Sequence, residues 1–245
     1  MLIVRSYLFA VFFFVFTALS SVTAATISIV LPKRLPGFAR WWSQRWLSVY
    51  RVLCGVSYRV VGAENLPRGP CILAMKHQSA WDTCALFAVF ERPVYVLKNE
   101  LMWIPFFGWA LRQLGCIPVK RGTGRAALED MVRGTRIALE KNKQVVIFPE
   151  GTRTNVGDPP AYRSGISHLY VAIDTPFVPV ALNTGVFWPR HGMLRPPGQI
   201  TVEVLPALPQ GLERKDMFER MVDQIETASR RLSAAATDSR STSLS

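Results

Sequence analysis

The chain has 245 residues, of which 49% are hydrophobic and 19% are charged. This composition excludes a disordered chain, and the length allows one or two domains with a substantial core. The 29 Lys and Arg residues outnumber the 17 Asp and Glu residues, so the net charge is +12 and favours an anionic partner such as lipid or a phosphorylated metabolite. No recognition motif for nucleic acid is visible, and nucleic acid is not an expected partner.

The N-terminal region is predicted to anchor the chain in a membrane. The segment from Tyr7 to Leu31 has no Asp, Glu, Lys or Arg, and a helix of that length reaches ~38 Å against a hydrocarbon core of ~30 Å. Arg5 precedes the segment whereas Lys33 and Arg34 follow it, so the positive-inside rule places the body at the cytoplasmic side of the inner membrane. A cleaved signal peptide or a buried core helix is the alternative.

An amphipathic helix is predicted next to the anchor. Arg40, Gln44 and Arg51 share its polar side. Its other side carries Phe38, Trp41, Trp42, Trp46, Val49, Tyr50 and Leu53. An aromatic and basic helix beside an anchor is typical of the membrane interface, although its Trp stripe could instead pack on the protein core. Residues 1–55 are therefore assigned to the anchor and the interfacial helix.

The body is predicted to alternate strands and helices. Helical patterns cover Arg125 to Lys141 and Asp216 to Leu232. Several short runs are apolar throughout, as expected for strands covered on both faces. The predicted strands are Val56 to Val61, Cys71 to Met75, Val94 to Leu97, Cys116 to Val119, Val145 to Phe148, Phe177 to Leu182 and Thr201 to Leu205. This alternation predicts an α/β domain over 56–232, with a mixed, largely parallel sheet flanked by helices. The Ser/Thr/Ala-rich residues 233–245 are predicted to be a disordered tail.

Cysteine and histidine spacing does not indicate a metal. The four cysteines, Cys54, Cys71, Cys84 and Cys116, form no CxxC pair and have no zinc-like spacing to a histidine. We interpret them as buried thiols in a reducing compartment. His168 and His191 are interpreted as structural residues.

The first chemical motif follows the second predicted strand. His77 and Asp82 are five residues apart, and on one continuous helix they would not face each other. A helix that begins after His77, with Ser79 as its N-cap, would let Asp82 turn towards the imidazole, fix its tautomer and stabilise the imidazolium. Alternatively, Ser79 and Asp82 form a capping box, in which the carboxylate holds backbone N–H groups.

The second motif, Phe148 to Arg153, ends the predicted strand at Val145 to Phe148. Pro149 stops the strand, and Gly151 allows a tight turn or a close approach of the backbone to a ligand. Glu150 and Arg153 then stand at a strand end, where α/β sheets commonly bind ligands. A surface ion pair on a turn is the alternative.

Together the two motifs resemble those of the glycerolipid acyltransferases, the family that includes the 1-acylglycerol-3-phosphate acyltransferases. His77 to Asp82 matches the family's HxxxxD block, and Phe148 to Arg153 matches its FPEGTR block. Two further blocks match in the same order, and the segment between the first two blocks is also similar: Gly115 to Arg121, Val178 to Asn183, Lys98 to Leu101 and Ile104 to Trp109. The similarity spans about Val56 to Leu205. Lys76 is a departure, since many members carry Asn before the motif histidine.

The resemblance implies a membrane-bound O-acyltransferase. It would move a fatty acyl group from a thioester to the free hydroxyl of 1-acylglycerol-3-phosphate and give phosphatidic acid, with His77 as general base and Asp82 as its partner. No GxSxG motif is present, so direct transfer fits better than an acyl-enzyme. No metal or redox cofactor is implied. The resemblance does not decide whether the donor is acyl-CoA or acyl carrier protein. It also leaves open whether the N-terminal helix crosses the bilayer or docks as part of a helical pair in one leaflet.

The resemblance also implies a binding site for the acceptor. The phosphate needs cations, for which the candidates in or between the blocks are Lys98, Lys120, Arg121 and Arg153. Arg163 is a weaker candidate. Glu150 would accept a hydrogen bond from the acceptor hydroxyl, and Gly151 and Thr152 would complete this side of the substrate site.

Other functions stay open beside this one. The same family includes enzymes for other acceptors, such as a lyso-ornithine lipid or a lysophospholipid. A non-catalytic module that holds anionic lipid through the Trp/Arg helix is a further alternative, although the presence of both His77/Asp82 and Glu150/Arg153 counts against it.

Overall fold

The computed structural model describes residues 1–120, 122 and 124–242, with side chains up to Ser239. Within these residues the strands are β1 (Val56–Val61), β2 (Cys71–Met75), β3 (Pro93–Lys98), β4 (Ile117–Val119), β5 (Gln144–Ile147), β6 (Phe177–Leu182) and β7 (Gly198–Val204). The helices are α1 (Leu2–Val30), α2 (Leu35–Cys54), α3 (Trp81–Cys84), α4 (Leu86–Val89), α5 (Phe107–Leu114), α6 (Arg125–Glu140), α7 (Gly165–Ala172), α8 (Thr184–Phe187) and α9 (Arg214–Thr242).

The seven strands form one mixed sheet in the order β1-β7-β6-β2-β5-β3-β4. Every neighbouring pair is parallel except β6 and β7, which are antiparallel. Each strand lies on an apolar run recognised in the sequence, and the prediction of a mixed, largely parallel sheet flanked by helices is confirmed. Strands β2, β5 and β6 are buried along their whole length, as expected when helices cover both faces.

The topology brings the motifs to one edge of the sheet. Strands β3, β5, β2 and β6 are parallel neighbours, so their carboxyl ends meet at the same edge. His77 follows β2, Phe148 follows β5 and Lys98 ends β3. Thr184 follows β6 on the other side of β2. The sheet order therefore assembles residues that are far apart in the sequence.

Helices α1 and α2 form a hairpin that packs on the body. Helix α1 is long and apolar enough to cross a membrane by length and composition, yet one of its faces is buried. The Phe9 ring lies 4.5 Å from the Tyr50 ring and 5.5 Å from the Trp188 ring, measured between centroids. The predicted aromatic stripe of α2 is divided: Trp46 and Tyr50 are fully buried in the protein core, and Trp41 is exposed. The core-packing alternative is therefore correct for Trp46 and Tyr50.

Helix α9 is longer than the sequence predicts. It continues to Thr242, whereas a disordered tail was predicted for residues 233–245, of which 243–245 lie outside the described residues. Small side chains let the helix approach the sheet closely: Ala228 and Leu232 pack on Ala181 of β6, and Ala236 is also buried. The Leu232 carbonyl accepts a hydrogen bond from the Asn183 side chain, 3.2 Å away. The small residues thus form a packing stripe and are not a sign of fraying.

Candidate active site

His77 and Asp82 form a hydrogen-bonded pair at the end of β2. Nδ1 of His77 lies 3.0 Å from Oδ2 of Asp82, because α3 begins only at Trp81 and leaves the histidine in the preceding loop. The His77 ring stacks on the Phe148 ring at 4.0 Å between centroids, and its side chain is 14% exposed. Since Asp82 occupies Nδ1, Nε2 is the ring nitrogen left to act on a ligand.

The Asp82 carboxylate also serves as the cap of the loop. Its Oδ2 accepts hydrogen bonds from the backbone N–H groups of Gln78 at 2.6 Å and Ser79 at 2.8 Å. Its Oδ1 accepts one from the Thr184 hydroxyl at 2.6 Å. The N-cap position of α3 is Ala80 and not the predicted Ser79, but the Ser79 hydroxyl oxygen still accepts a hydrogen bond from the Trp81 N–H, the first of the helix, at 3.1 Å. The His–Asp pair and the capping box are therefore two roles of one carboxylate.

The second motif holds the backbone of His77. The N–H of His77 donates to Oε1 of Glu150 at 3.3 Å. Its carbonyl accepts from the N–H of Thr154 at 2.9 Å and from the Thr154 hydroxyl at 3.1 Å. Both polar groups of the histidine backbone are thus held by the loop after β5, which fixes the position of the imidazole.

Glu150 is buried under the site and does not face it. The residue is 1% exposed, and its Oε1 forms an ion pair with the Lys76 Nζ at 3.1 Å. Burial raises the pKa of this carboxyl, an effect that Lys76 and the His77 N–H oppose. The sequence-based role of Glu150, a hydrogen bond to the acceptor hydroxyl, does not match this geometry, because the carboxylate points into the interior.

A cavity of about 280 Å³ opens in front of His77. Lys98, Phe148, Gly151 and Arg163 are among the residues that line it. Gly151 has a φ of +70°, which a glycine adopts without strain, so this residue permits the turn after β5 as predicted. The cavity is large enough for a polar headgroup, and its basic side chains suit an anion.

The predicted cations do not all reach this cavity. Lys98 lines it and is paired with Glu100 at 3.2 Å, and the exposed Arg163 lines it as well. Arg153 is half-buried beyond the lining, and its guanidinium has no ion pair or hydrogen bond with the described part of the chain. Lys120 and Thr152 are exposed and do not line the cavity, and Arg121 lies outside the described residues.

An apolar cavity adjoins the one at His77. It has a volume of about 210 Å³, and Thr83 and Tyr95 line both cavities. The remaining lining comes mainly from apolar side chains of α1, α2 and α5, among them Phe14, Leu35, Phe38, Trp42, Phe107 and Leu111. Hydrocarbon can therefore be buried in a cavity next to the one that His77 lines. Cys84 also lines this cavity, but burial raises the pKa of its thiol to about 12, so the thiolate needed for a nucleophile is disfavoured.

Sequence reasoning did not identify several residues that build the site. Thr184 bonds Asp82, and Thr154 bonds the His77 backbone. Thr184 begins α8 just after β6 and Thr154 lies in the loop after β5, so only the sheet order brings them together. The Lys76 side chain bonds Glu226 of α9 at 2.5 Å, a contact across 150 positions. The departure at Lys76 was the only visible signal of this contact. In the described part of the chain no group of three His, Cys, Asp or Glu residues could hold a metal ion.

This fold and site define an α/β protein with a hydrogen-bonded His–Asp pair at the carboxyl edge of its sheet, where the cavity at His77 adjoins an apolar cavity. A model of the family described as "Acyltransferase" matches residues 57–183. A 1-acyl-sn-glycerol-3-phosphate acyltransferase of Pseudomonas aeruginosa is 37% identical over 204 residues, which cover 81% of this chain and 79% of that protein. The chain belongs to the acyltransferase family.

More distant proteins share the same region. The 1-acyl-sn-glycerol-3-phosphate acyltransferase alpha of Homo sapiens is 30% identical over 171 residues, which cover 68% of this chain and 60% of the human protein. The crystal structure of the 1-acyl-sn-glycerophosphate (LPA) acyltransferase PlsC from Thermotoga maritima superposes with a TM-score of 0.77 at 19% identity. It covers 96% of this chain and all of that one, so the fold extends over α1 and α2 as well as the sheet.

Proposed function

We propose that the protein transfers a fatty acyl group from a thioester to the free hydroxyl of 1-acylglycerol-3-phosphate, giving phosphatidic acid and a free thiol. The observation that carries this proposal is the His77–Asp82 hydrogen bond, with His77 lining a cavity that contains Lys98 and Arg163 and that shares Thr83 and Tyr95 with an apolar cavity. The names of the relatives in Pseudomonas and human support the same acceptor.

In the proposed reaction His77 acts as general base. Nε2 takes the proton of the acceptor hydroxyl while the hydroxyl oxygen attacks the thioester carbonyl. The new C–O bond forms, the C–S bond breaks, and the imidazolium returns the proton to the departing sulfur. Asp82, bonded to Nδ1, holds the tautomer in which Nε2 is free and stabilises the imidazolium. This route needs no acyl-enzyme, in keeping with the protonated thiol of Cys84.

The two cavities separate the polar and apolar parts of the substrates. Lys98 and Arg163 would contact the acceptor phosphate, and the Arg163 guanidinium offers two parallel donors to the phosphate oxygens. A fatty acyl chain would occupy the apolar cavity lined by α1, α2 and α5. The proposed acyl donor is a thioester of coenzyme A or of acyl carrier protein, and the proposed reaction requires no further cofactor.

We place the protein at the inner membrane with its catalytic body on the cytoplasmic side. The apolar helix α1 supports membrane association, and Lys33 and Arg34 after it support the cytoplasmic orientation. Membrane lipids would then surround α1 and supply the acceptor.

The test is an acyl-transfer assay with purified protein. Lysophosphatidic acid, a lyso-ornithine lipid and a lysophospholipid are each offered with acyl-CoA and with acyl carrier protein as donor, and products are identified by mass spectrometry. Phosphatidic acid is the expected product, and the His77→Ala protein is expected to lose about 10²–10⁴-fold in kcat while staying folded. A preference for another acceptor contradicts the proposed substrate, and full turnover by folded His77→Ala contradicts the mechanism.

A further inference from the structure

Lys76 is a buried cation held between two carboxylates. Its side chain is 5% exposed, and its Nζ lies 2.5 Å from Oε1 of Glu226 and 3.1 Å from Oε1 of Glu150. The Tyr162 hydroxyl donates to the same Glu226 oxygen at 2.8 Å, and the Lys76 ammonium lies 5.4 Å from the centre of the Tyr162 ring. Lys76 directly follows β2, Glu150 lies in the loop after β5, and Glu226 lies in helix α9.

This cation does not belong to the substrate cavity. Lys76 and Glu226 line a separate polar cavity of about 530 Å³ between α9 and residues 155–160, whereas His77 lines the cavity of about 280 Å³. The two carboxylates already surround the ammonium, so it has little charge to offer a phosphate. Lys76 therefore acts on the protein and not on the substrate.

Glu150 connects Lys76 to His77. Oε1 of Glu150 accepts from both the Lys76 ammonium and the His77 N–H, and Oε2 is buried without a hydrogen-bond partner among the described residues. If the ammonium were removed, Glu150 and Glu226 would face each other with no cation between them, and the buried Glu150 could not stay fixed. The backbone of His77 would then lose its anchor on the N–H side.

We propose that Lys76 and Glu226 are positioning residues for the catalytic histidine, linked to it through Glu150, so that helix α9 is part of the machinery that orients His77. This inference rests on the proposed function of His77 as the general base. Glu226 holds the ammonium, the ammonium holds Glu150, and Glu150 holds the His77 N–H.

Steady-state kinetics test this chain of contacts. Glu226→Ala and Lys76→Met are each expected to lower kcat by about 10–100-fold, the scale of a small misplacement of a catalytic group, and to leave KM for the acceptor within about twofold. The double variant is expected to lose no more than the worse single variant, because both act through one path. Asp223→Asn is the matched control: it removes an exposed carboxylate from α9 about one turn away and is expected to keep full kcat.

Hydrogen exchange supplies a readout that needs no turnover. Faster amide exchange is expected in a peptide that includes His77 in Glu226→Ala, and not in Asp223→Asn. Tyr162→Phe, a milder change that removes one hydrogen bond to Glu226, is expected to give a smaller shift in the same direction and keeps the test available if Lys76→Met does not fold. If the wild-type protein is inactive but Glu226→Ala still shows faster exchange at His77, only the proposed function is contradicted. Unchanged exchange together with unchanged kcat in folded Glu226→Ala overturns the positioning role.

Discussion

Asp82 combines a structural and a chemical role in one side chain. Its two oxygens accept four hydrogen bonds, from the His77 ring, two backbone N–H groups and Thr184. Because the same atom, Oδ2, holds the loop and the imidazole, the orientation of the base depends on the cap. An activity assay alone therefore cannot separate the two interpretations of the motif, a catalytic His–Asp pair and a capping box.

Substitutions at Asp82 are expected to change both stability and activity. Asp82→Ala leaves buried donors without an acceptor, so the free energy of unfolding is expected to fall by about 1–3 kcal/mol and kcat by more than tenfold. Thr184→Val is the control, since it removes one bond to Oδ1 and leaves Oδ2 with its partners. Chemical denaturation and kcat are measured on the same preparations. A loss of stability with wild-type kcat would mean that Asp82 only caps the loop.

Arg163 is expected to contribute to recognition of the acceptor phosphate. It lines the cavity at His77, whereas the more strongly predicted Arg153 does not. A charge-assisted hydrogen bond is worth about 1.5–3 kcal/mol, so Arg163→Ala is expected to lower kcat/KM for lysophosphatidic acid about 10–100-fold. The loss with an uncharged monoacylglycerol is expected to be small.

The comparison of the two acceptors in Arg163→Ala needs a control for the loss of a positive charge elsewhere on the protein. Arg68→Ala removes an exposed cation that precedes β2, at the opposite edge of the sheet, and is expected to leave both acceptors unaffected. Equal losses with both acceptors in Arg163→Ala would assign the residue a structural role.

The elements of the fold differ in how far the sequence predicts them. Most of the strands lie on short, mainly apolar runs between turn signals, and such runs are visible without knowledge of their neighbours. The short helices α3, α4 and α8, of four residues each, have no such period and depend on tertiary contacts. The extension of α9 was missed because its stripe of Ala and Ser is recognisable only against the sheet that it covers.

The same distinction applies to the site. The His77–Asp82 pair is local, so its spacing and a helix start were enough to predict it. The bonds of Glu150 to Lys76 and of Lys76 to Glu226 join three separate elements, and composition cannot show that a glutamate near a strand end points inwards. Sequence patterns thus predict which residues carry the chemistry better than which way their side chains face.

The packing of α1 on the body predicts unequal effects of two phenylalanines in one helix. Phe9 is 1% exposed against Tyr50 and Trp188, whereas Phe14 is 67% exposed. Phe9→Ala is expected to lower the free energy of unfolding by about 3–5 kcal/mol in detergent. Phe14→Ala is expected to change it by no more than about 0.5 kcal/mol. Thermal unfolding in one detergent measures both. Equal small effects would mean that α1 does not stabilise the body.

At the scale of the whole molecule, the contacts of α1 restrict how the protein can meet a membrane. Near its start, the Ser6 hydroxyl oxygen accepts a hydrogen bond from the Arg195 N–H at 2.9 Å. Near its end, Ala24 lines the apolar cavity together with α5. The two contacts are 18 residues apart, or ~27 Å along a helix, close to the ~30 Å hydrocarbon core of a bilayer. Both ends of α1 thus touch the same body.

This arrangement predicts that both chain termini lie on one side of the membrane. If α1 crossed the bilayer, Ser6 would be separated from the body, and the buried contacts of Phe9 and Phe13 would be lost. Given the proposed cytoplasmic location of the body, reporters fused before Met1 and after Ser245 are both expected to be active in the cytoplasm, and carbonate is expected to extract the protein at least in part. A fusion at Ser245 is checked first, since a periplasmic signal there contradicts the orientation of the body. A cytoplasmic signal at Ser245 with a periplasmic one at Met1, together with resistance to carbonate, would show instead that α1 leaves the body and spans the bilayer.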